Sequence, residues 1–149
     1  TFWPNFKGRD GCRTPMPWHE GEQAGFSQGQ PWLPIPAEHR AINVAAQDAD
    51  PDSILNQVRR FLGWRRSQPA LRVGRIRFLD APEPVLAFVR ETEGAAMLVV
   101  FNLSPQPVAW KLPTGLSPHL VDSHGLPSGT LQDGTLALPA RGVYYAVID

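Results

Sequence analysis

The chain has little of several features that mark common classes of protein. It contains one cysteine, Cys12, so an internal disulfide is impossible. Its 14 basic and 14 acidic side chains cancel, which argues against nucleic acid, an anionic membrane or a polyanionic substrate as a partner. No apolar run approaches the roughly 18 residues of a membrane span, and no signal pattern opens the chain. We therefore expect a soluble protein and a cytoplasmic location.

Apolar material for a folded core is present, since 42% of the 149 residues are hydrophobic. The chain begins with Thr1 rather than Met, so we expect the natural N-terminus to lie upstream. Up to about Asp50 it is rich in Pro, Gly and Gln without a sustained period, which indicates a long loop. Large aromatic residues in this stretch favour an ordered loop that packs on another part of the protein, among them Trp3, Phe6, Trp18, Phe26 and Trp32.

One helix is predicted from its periodicity, over about residues 51–67. Asp50 is expected to cap it, Pro51 to occupy its first position, and Pro69 to end it. Its apolar residues recur at helical spacing and form one stripe that should face a partner surface: Ile54, Leu55, Val58, Phe61 and Leu62.

From Gly74 onward the pattern changes to that of short strands separated by Pro and Gly. Seven strands are predicted, at residues 75–79, 85–90, 96–102, 108–112, 119–122, 136–138 and 143–148. Glu93-Gly94 and Asp133-Gly134 are expected to form hairpin turns, since glycine tolerates the positive φ that such turns require. The run 97–101 is apolar on both faces, so we place it centrally in its sheet. This half of the chain is predicted to be an antiparallel β-sandwich.

Other residue types that can carry chemistry are interpreted as structural. Cys12, His19 and His39 lack zinc-ligand spacing, so no metal site and no cofactor are predicted. His119 and His124 flank a strand and a turn, where surface roles are expected. Trp110 could stack on a sugar, although core packing is the favoured interpretation.

Two ordered motifs in the opening loop carry a resemblance to a known family. The run from Gly8 to Trp18, GRDGCRTPMPW, is followed by Ala24-Gly25-Phe26-Ser27 and Pro31-Trp32. It resembles the segment after the last barrel strand in oligo-1,6-glucosidases and α-glucosidases of the α-amylase superfamily. Ile42-Asn43-Val44 and the segments 52–55, 86–90 and 100–104 extend the resemblance over nearly the whole chain.

The resemblance implies an α+β fragment of a larger enzyme. Residues 1–72 would be the tail of the catalytic (β/α)8 barrel, namely the loop after strand eight and the last helix. Residues 73–149 would form the all-antiparallel β-sandwich domain at the C-terminus.

For the chemistry, the resemblance implies a retaining glycoside hydrolase that acts on α-linked gluco-oligosaccharides. Its Asp nucleophile, Glu acid/base and stabilising Asp lie on earlier barrel strands, so this chain is expected to hold no catalytic residue and to be inactive alone. Arg13 matches the family arginine that pairs with an Asp and binds the terminal glucose. An ion pair of Arg13 with Asp10 or Glu20 is the structural alternative, and Arg9-Asp10 is expected to be a pair that orders the loop.

Pro17 and His19 depart from the commoner family pattern, so the substrate preference of the outer sugar subsites is not predicted. Two alternatives to a hydrolase fragment also remain open. The chain could be a non-catalytic module that binds carbohydrate or supports a barrel. Its parent could instead be a sucrose isomerase, a trehalose synthase or a transglucosidase. Because the apolar stripe would lack its barrel, we also expect a homo-oligomer of the fragment through that surface, or a loop that folds back over the helix.

Overall fold

The computed structural model describes residues 12–148, and the chain divides into two structural units whose boundary falls between Val58 and Arg59. A short 3-10 helix at Glu22–Gly25 precedes helices α1 (Ala37–Ala41), α2 (Val44–Ala49), α3 (Ile54–Arg66) and α4 (Pro69–Val73). Within this described range, no helix has the length and apolar character needed to cross a membrane. Arg9 and Asp10 lie outside the described residues.

Eight strands follow the helices. They are β1 (Arg75–Phe78), β2 (Val85–Thr92), β3 (Ala95–Asn102), β4 (Val108–Lys111), β5 (Pro118–Leu120), β6 (Thr130–Gln132), β7 (Thr135–Leu138) and β8 (Val143–Ile148). Seven of them match the strands predicted from alternation. The remaining strand, β6, was not predicted.

The strands form two sheets in which every pairing is antiparallel. The larger sheet has the order β1-β2-β3-β8-β5, and the smaller one has the order β4-β7-β6. Strand β3 pairs with β2 on one side and with β8 on the other, which confirms its predicted central place. The α+β class and the antiparallel sandwich are therefore confirmed.

The main core lies between the two sheets. Leu98 and Val100 of β3 enter it from the larger sheet, and Trp110, Leu136 and Leu138 enter it from the smaller one. The favoured interpretation of Trp110 is confirmed, since only 6% of this residue is exposed. A side chain buried to this extent cannot offer its ring face to a sugar.

The opposite face of the larger sheet carries a second core. Met97 and Val99 point to this face because strand side chains alternate, and they cluster with Trp64 of α3, Leu71 of α4 and Tyr145 of β8. Strand β3 is thus covered on both faces, which explains why its sequence is a continuous apolar run.

Helix α3 differs from its prediction at the start. It begins at Ile54, and the Oγ of Ser53 accepts the N–H of Asn56 at 3.2 Å as a capping residue does. Asp50 was wrongly predicted as the cap. Its carboxylate instead accepts the N–H of Asp52 at 2.9 Å and closes the turn that precedes the helix.

The apolar stripe of α3 is only partly buried by the described chain. Ile54, Val58 and Leu62 are exposed at 75%, 47% and 46%, although they recur at every fourth position of one face. The buried residue of the helix is Trp64, which the stripe prediction did not include. In residues 59–148 the helix therefore packs on the sheet through Phe61 and Trp64.

Both predicted hairpin turns are present, with different backbone conformations. Asp133 and Gly134 have φ values of 49° and 73° and join β6 to β7, as a left-handed two-residue turn requires. Glu93 and Gly94 join β2 to β3 without a positive φ. The reason given for a glycine at position 94 was therefore wrong.

Candidate functional site

The loop that contains Arg13 is attached to helix α2 through its main chain. The first N–H groups of a helix have no partner within it and must find one elsewhere. The N–H of Val44 donates to the carbonyl of Pro17 at 2.9 Å, and the N–H of Ala45 donates to the carbonyl of Trp18 at 2.9 Å. The loop thus supplies two of the acceptors that the start of α2 needs.

Asn43 completes this cap. Its Oδ1 accepts the N–H of Ala46 at 2.9 Å, and its Nδ2 donates to the carbonyl of Arg40 at 2.8 Å. The side chain is buried and satisfied at both ends. The sequence prediction used Asn43 only as part of a resemblance, although Asn before a helix is a preferred capping residue.

A tight left-handed turn follows Trp18. Gln23, Ala24 and Gly25 have φ values of 48°, 52° and 67°, a conformation that costs energy in residues with a Cβ atom. The carbonyl of Ala24 accepts the N–H of Trp18 at 2.8 Å and of His19 at 3.3 Å, so the strained turn closes back on the loop. Strain of this kind is often found in loops that serve a function.

His19 lies inside this turn. Its Nδ1 accepts the N–H of Gly21 at 3.0 Å, and its ring occupies the space that a Cβ atom at Gly25 would need. A residue larger than glycine at position 25 would displace the ring. His19 is therefore part of the way this loop folds.

Arg13 is exposed at the start of the loop. Within residues 12–148, it forms no ion pair with Glu20, while the alternative partner Asp10 lies outside the described range. Next to it, loop residues 14–17 line a groove of about 310 Å³ together with His39, Ile42, Val44 and Gln47. Trp18 and Phe26 of the same loop are each half exposed.

The remaining candidate residues are Cys12 and the other histidines. Among residues 12–148, no group of three or more metal-ligating side chains is found. His119 is exposed on β5, as predicted. His124 was wrongly predicted at the surface, because it is buried and 1% exposed. No periodicity marks it, since it lies in an irregular segment between β5 and β6.

The pKa of His124 is lowered by burial, which outweighs the opposite effect of Asp122. Burial also raises the pKa of Tyr145 to about 12, although Arg65 acts in the other direction. The pKa of Tyr144 is raised by burial as well. All three shifts belong to the cores of the sandwich rather than to the Arg13 loop.

Comparison with known proteins agrees with this architecture. Residues 2–74 match the alpha amylase, catalytic domain family, and residues 76–144 match the maltogenic amylase, C-terminal domain family. The chain belongs to the α-amylase superfamily of glycoside hydrolases and corresponds to the C-terminal part of its α-glucosidase-like members.

Individual relatives extend over nearly the whole chain. A probable alpha-glucosidase of Rhizobium meliloti is 42% identical over 146 residues, which are 97% of this chain and 26% of that protein. The crystal structure of the alpha-glucosyl transfer enzyme XgtA is 50% identical with a TM-score of 0.90, and covers 100% of this chain and 28% of its own. An isomaltulose synthase of Erwinia rhapontici is 31% identical with a TM-score of 0.75, covering 95% of this chain and 26% of its own.

This chain therefore spans about a quarter of the length of the relatives it matches.

Proposed function

We propose that this chain is the C-terminal part of a retaining enzyme that acts on α-linked gluco-oligosaccharides. In this proposal, residues 1–72 complete the catalytic barrel and residues 73–149 form the sandwich domain. Two family matches support the division, since one ends at residue 74 and the other begins at residue 76. The catalytic acids belong to the upstream part of the enzyme, and the chain supplies a substrate loop and a supporting domain.

The observation that carries the proposal is an exposed Arg13 at the head of a loop fixed to α2. Its guanidinium has a planar fork of donors that can bind a carboxylate and a sugar hydroxyl together. The main-chain bonds from Val44 and Ala45 hold the following residues in place. A fixed support of this kind is what a substrate-positioning side chain needs, because small misplacements reduce the rate strongly. In this proposal Arg9 and Asp10 order the loop upstream of Arg13.

The first test compares Arg13 variants of the intact enzyme that contains this chain. We expect Arg13→Ala to lower kcat/KM for maltose by about 100-fold, and Arg13→Lys to restore little, because lysine keeps the charge and loses the fork. Arg72→Ala, on the exposed surface of α4, is the matched control and should leave kcat/KM unchanged. A value within about twofold of wild type for Arg13→Ala would remove Arg13 from the binding site.

The isolated chain provides an independent test of whether the catalytic acids lie in another part of the enzyme. We expect no release of p-nitrophenol from p-nitrophenyl α-glucoside, since a retaining mechanism needs two carboxylates about 5 Å apart on either side of the bond. Measurable turnover by the purified 149-residue chain would overturn the assignment of the catalytic acids to another part of the enzyme.

Glucosyl transfer is a second candidate for the reaction of the whole enzyme. It is favoured by the 50% identity to XgtA over the full chain, because that structure is described as an alpha-glucosyl transfer enzyme. Products formed from maltose by the intact enzyme distinguish the two. Transfer gives glucosylated acceptors, whereas hydrolysis gives glucose alone. Isomerisation of sucrose is a third candidate, in line with the similarity to an isomaltulose synthase, and product analysis with sucrose as the substrate tests it.

The α-glucoside is the partner we propose for the whole enzyme, in the cytoplasm. For the chain by itself, we propose a homo-oligomer through the exposed stripe of Ile54, Val58 and Leu62. Trp110 cannot serve the alternative of a sugar-binding module, because that ring is buried in the core, whereas a non-catalytic module that supports a barrel stays a prediction.

A further inference from the structure

His124 is the third ring of a buried aromatic cluster that connects three parts of residues 59–148. Its ring lies 5.3 Å from that of Trp64 on α3 and 4.9 Å from that of Tyr145 on β8, measured between centroids. Trp64 and Tyr145 themselves are 4.8 Å apart. The cluster therefore joins the last turns of α3, the sheet, and the segment that carries His124.

Hydrogen bonds define the protonation state of His124. Its Nδ1 accepts the backbone N–H of Leu126 at 3.1 Å, so this nitrogen carries no proton. The proton of the neutral ring is then on Nε2, which donates to the Oγ of Ser128 at 3.2 Å. Both nitrogens are satisfied only in this neutral form.

We propose that His124 is an acid-sensitive packing contact that holds residues 59–66 of α3 on the sandwich. When its ring takes up a second proton, these residues are released. A proton on Nδ1 would face the N–H of Leu126, so two donors would oppose each other. The ring would also carry its charge in a site that is 1% exposed. The ring would have to leave the cluster to restore its hydrogen bonds.

Departure of this ring would affect Trp64 directly. Trp64 is buried, and its indole N–H has no hydrogen-bond partner within the described residues. This side chain is held against the sheet by its packing in the second core and by ring contacts with Phe61, His124 and Tyr145. Loss of one of the three rings loosens the packing of the helix as well as that of the histidine.

Charged and titratable groups lie near His124 on three elements. On its own segment, the Oδ1 of Asp122 lies 3.5 Å from the Oγ of Ser128 and favours the protonated ring. On α3, the Nε of Arg60 lies 3.9 Å from where a Cβ of Gly125 would be, beside the segment that carries His124. On β8, Tyr145 is neutral because burial raises its pKa to about 12, while Arg65 of α3 acts on it electrostatically.

The direction of the pH effect follows from these contacts. The pKa of His124 in the fold is lowered from 6.5, mainly by burial, so the unfolded chain binds this proton more readily. The stability contributed by the neutral ring is complete well above pH 6.5 and is lost as the pH falls through the folded pKa. One such group can change the folding equilibrium by up to about tenfold between about pH 7.5 and about pH 5.5.

The test measures urea unfolding of the 149-residue chain at both pH values for wild type, His124→Asn and His119→Asn. Asparagine at position 124 keeps a side-chain acceptor for the Leu126 N–H but cannot titrate. We expect the acid-induced fall in the folding equilibrium constant to be smaller for His124→Asn by a factor of several up to about ten. His119→Asn, a substitution on exposed β5, should follow wild type. Equal falls in all three proteins would overturn the proposal.

A measurement on the wild-type chain covers the case in which His124→Asn does not fold. We follow the ring of His124, the amide of Leu126 and the indole of Trp64 by NMR as the pH is lowered. The three signals should change together with one midpoint below the ordinary histidine value. Titration of the ring with no change in the signals of Leu126 or Trp64 would contradict the proposal.

Discussion

The atoms around Gly129 leave no space for a side chain. Its N–H donates to the carbonyl of Val143 at 2.7 Å, which draws the segment before β6 close to β8. A Cβ atom at this position would lie 2.7 Å from the Cδ2 of Leu138 and 2.8 Å from the carbonyl oxygen of Ala137. Because one of these atoms is main chain, the contact cannot be relieved by a side-chain rotation alone.

We therefore expect Gly129→Ala to lower the free energy of unfolding by roughly 1 to 3 kcal/mol, the usual cost of overpacking. Gly94→Ala is the matched control, because a Cβ atom there meets nothing within 4 Å. It should leave stability unchanged or raise it by up to about 1 kcal/mol. Urea unfolding of both variants measures the difference, and equal midpoints would contradict the crowding described at Gly129.

The burial and roles of single residues were the hardest features to predict from sequence. Trp110 was interpreted correctly because it alternates with exposed residues on a strand, which defines its side. His124 has no such neighbours and is buried by Trp64 and Tyr145, which are distant along the chain. The role of Arg13 stays a prediction, since no ion pair with Glu20 is found and Asp10 lies outside the described residues.

At the scale of elements, helix α2 depends on its cap. The helix has six residues, too few to be stable without tertiary and capping interactions. Its first N–H groups bond to the carbonyls of Pro17 and Trp18 and to the side chain of Asn43. Removal of this side chain also frees the carbonyl of Arg40.

Asn43→Ala is expected to lower the free energy of unfolding by about 1 to 2 kcal/mol, because a buried cap is lost together with a second hydrogen bond. Asn43→Asp keeps the acceptor for Ala46 and loses only the donor to Arg40, so its effect should be smaller. Thermal unfolding followed by circular dichroism ranks the three proteins. An alanine variant as stable as wild type would show that Asn43 is not needed as a cap.

Strands were predictable from sequence because alternation and turn residues are local signals. The missed strand β6 has three residues, of which only Leu131 is large and apolar, so it shows no alternation. The start of α3 was misplaced because Asp50, Asp52 and Ser53 can all cap a helix. The choice of Ser53 depends on its hydroxyl, which donates to the carbonyl of Gln47 and accepts the N–H of Asn56, and these bonds are visible only in the fold.

At the scale of the whole molecule, the exposed stripe of α3 should govern association. Ile54, Val58 and Leu62 present apolar surface that the described chain leaves uncovered. We expect the isolated chain to form oligomers at high concentration and the double variant Val58→Glu/Leu62→Glu to be monomeric. Val73→Glu on α4 is equally exposed apolar surface outside the stripe, and it should not change the mass. Light scattering that shows a clean wild-type monomer would contradict this prediction.

The attachment of the Arg13 loop to α2 has a consequence for evolution within the superfamily. The acceptors are the carbonyls of Pro17 and Trp18, which every amino acid provides. Natural variants can therefore exchange the side chains at these positions and keep the backbone path of the loop. Under the proposed function, selection for a new sugar would act on these positions while the support beneath them is inherited unchanged.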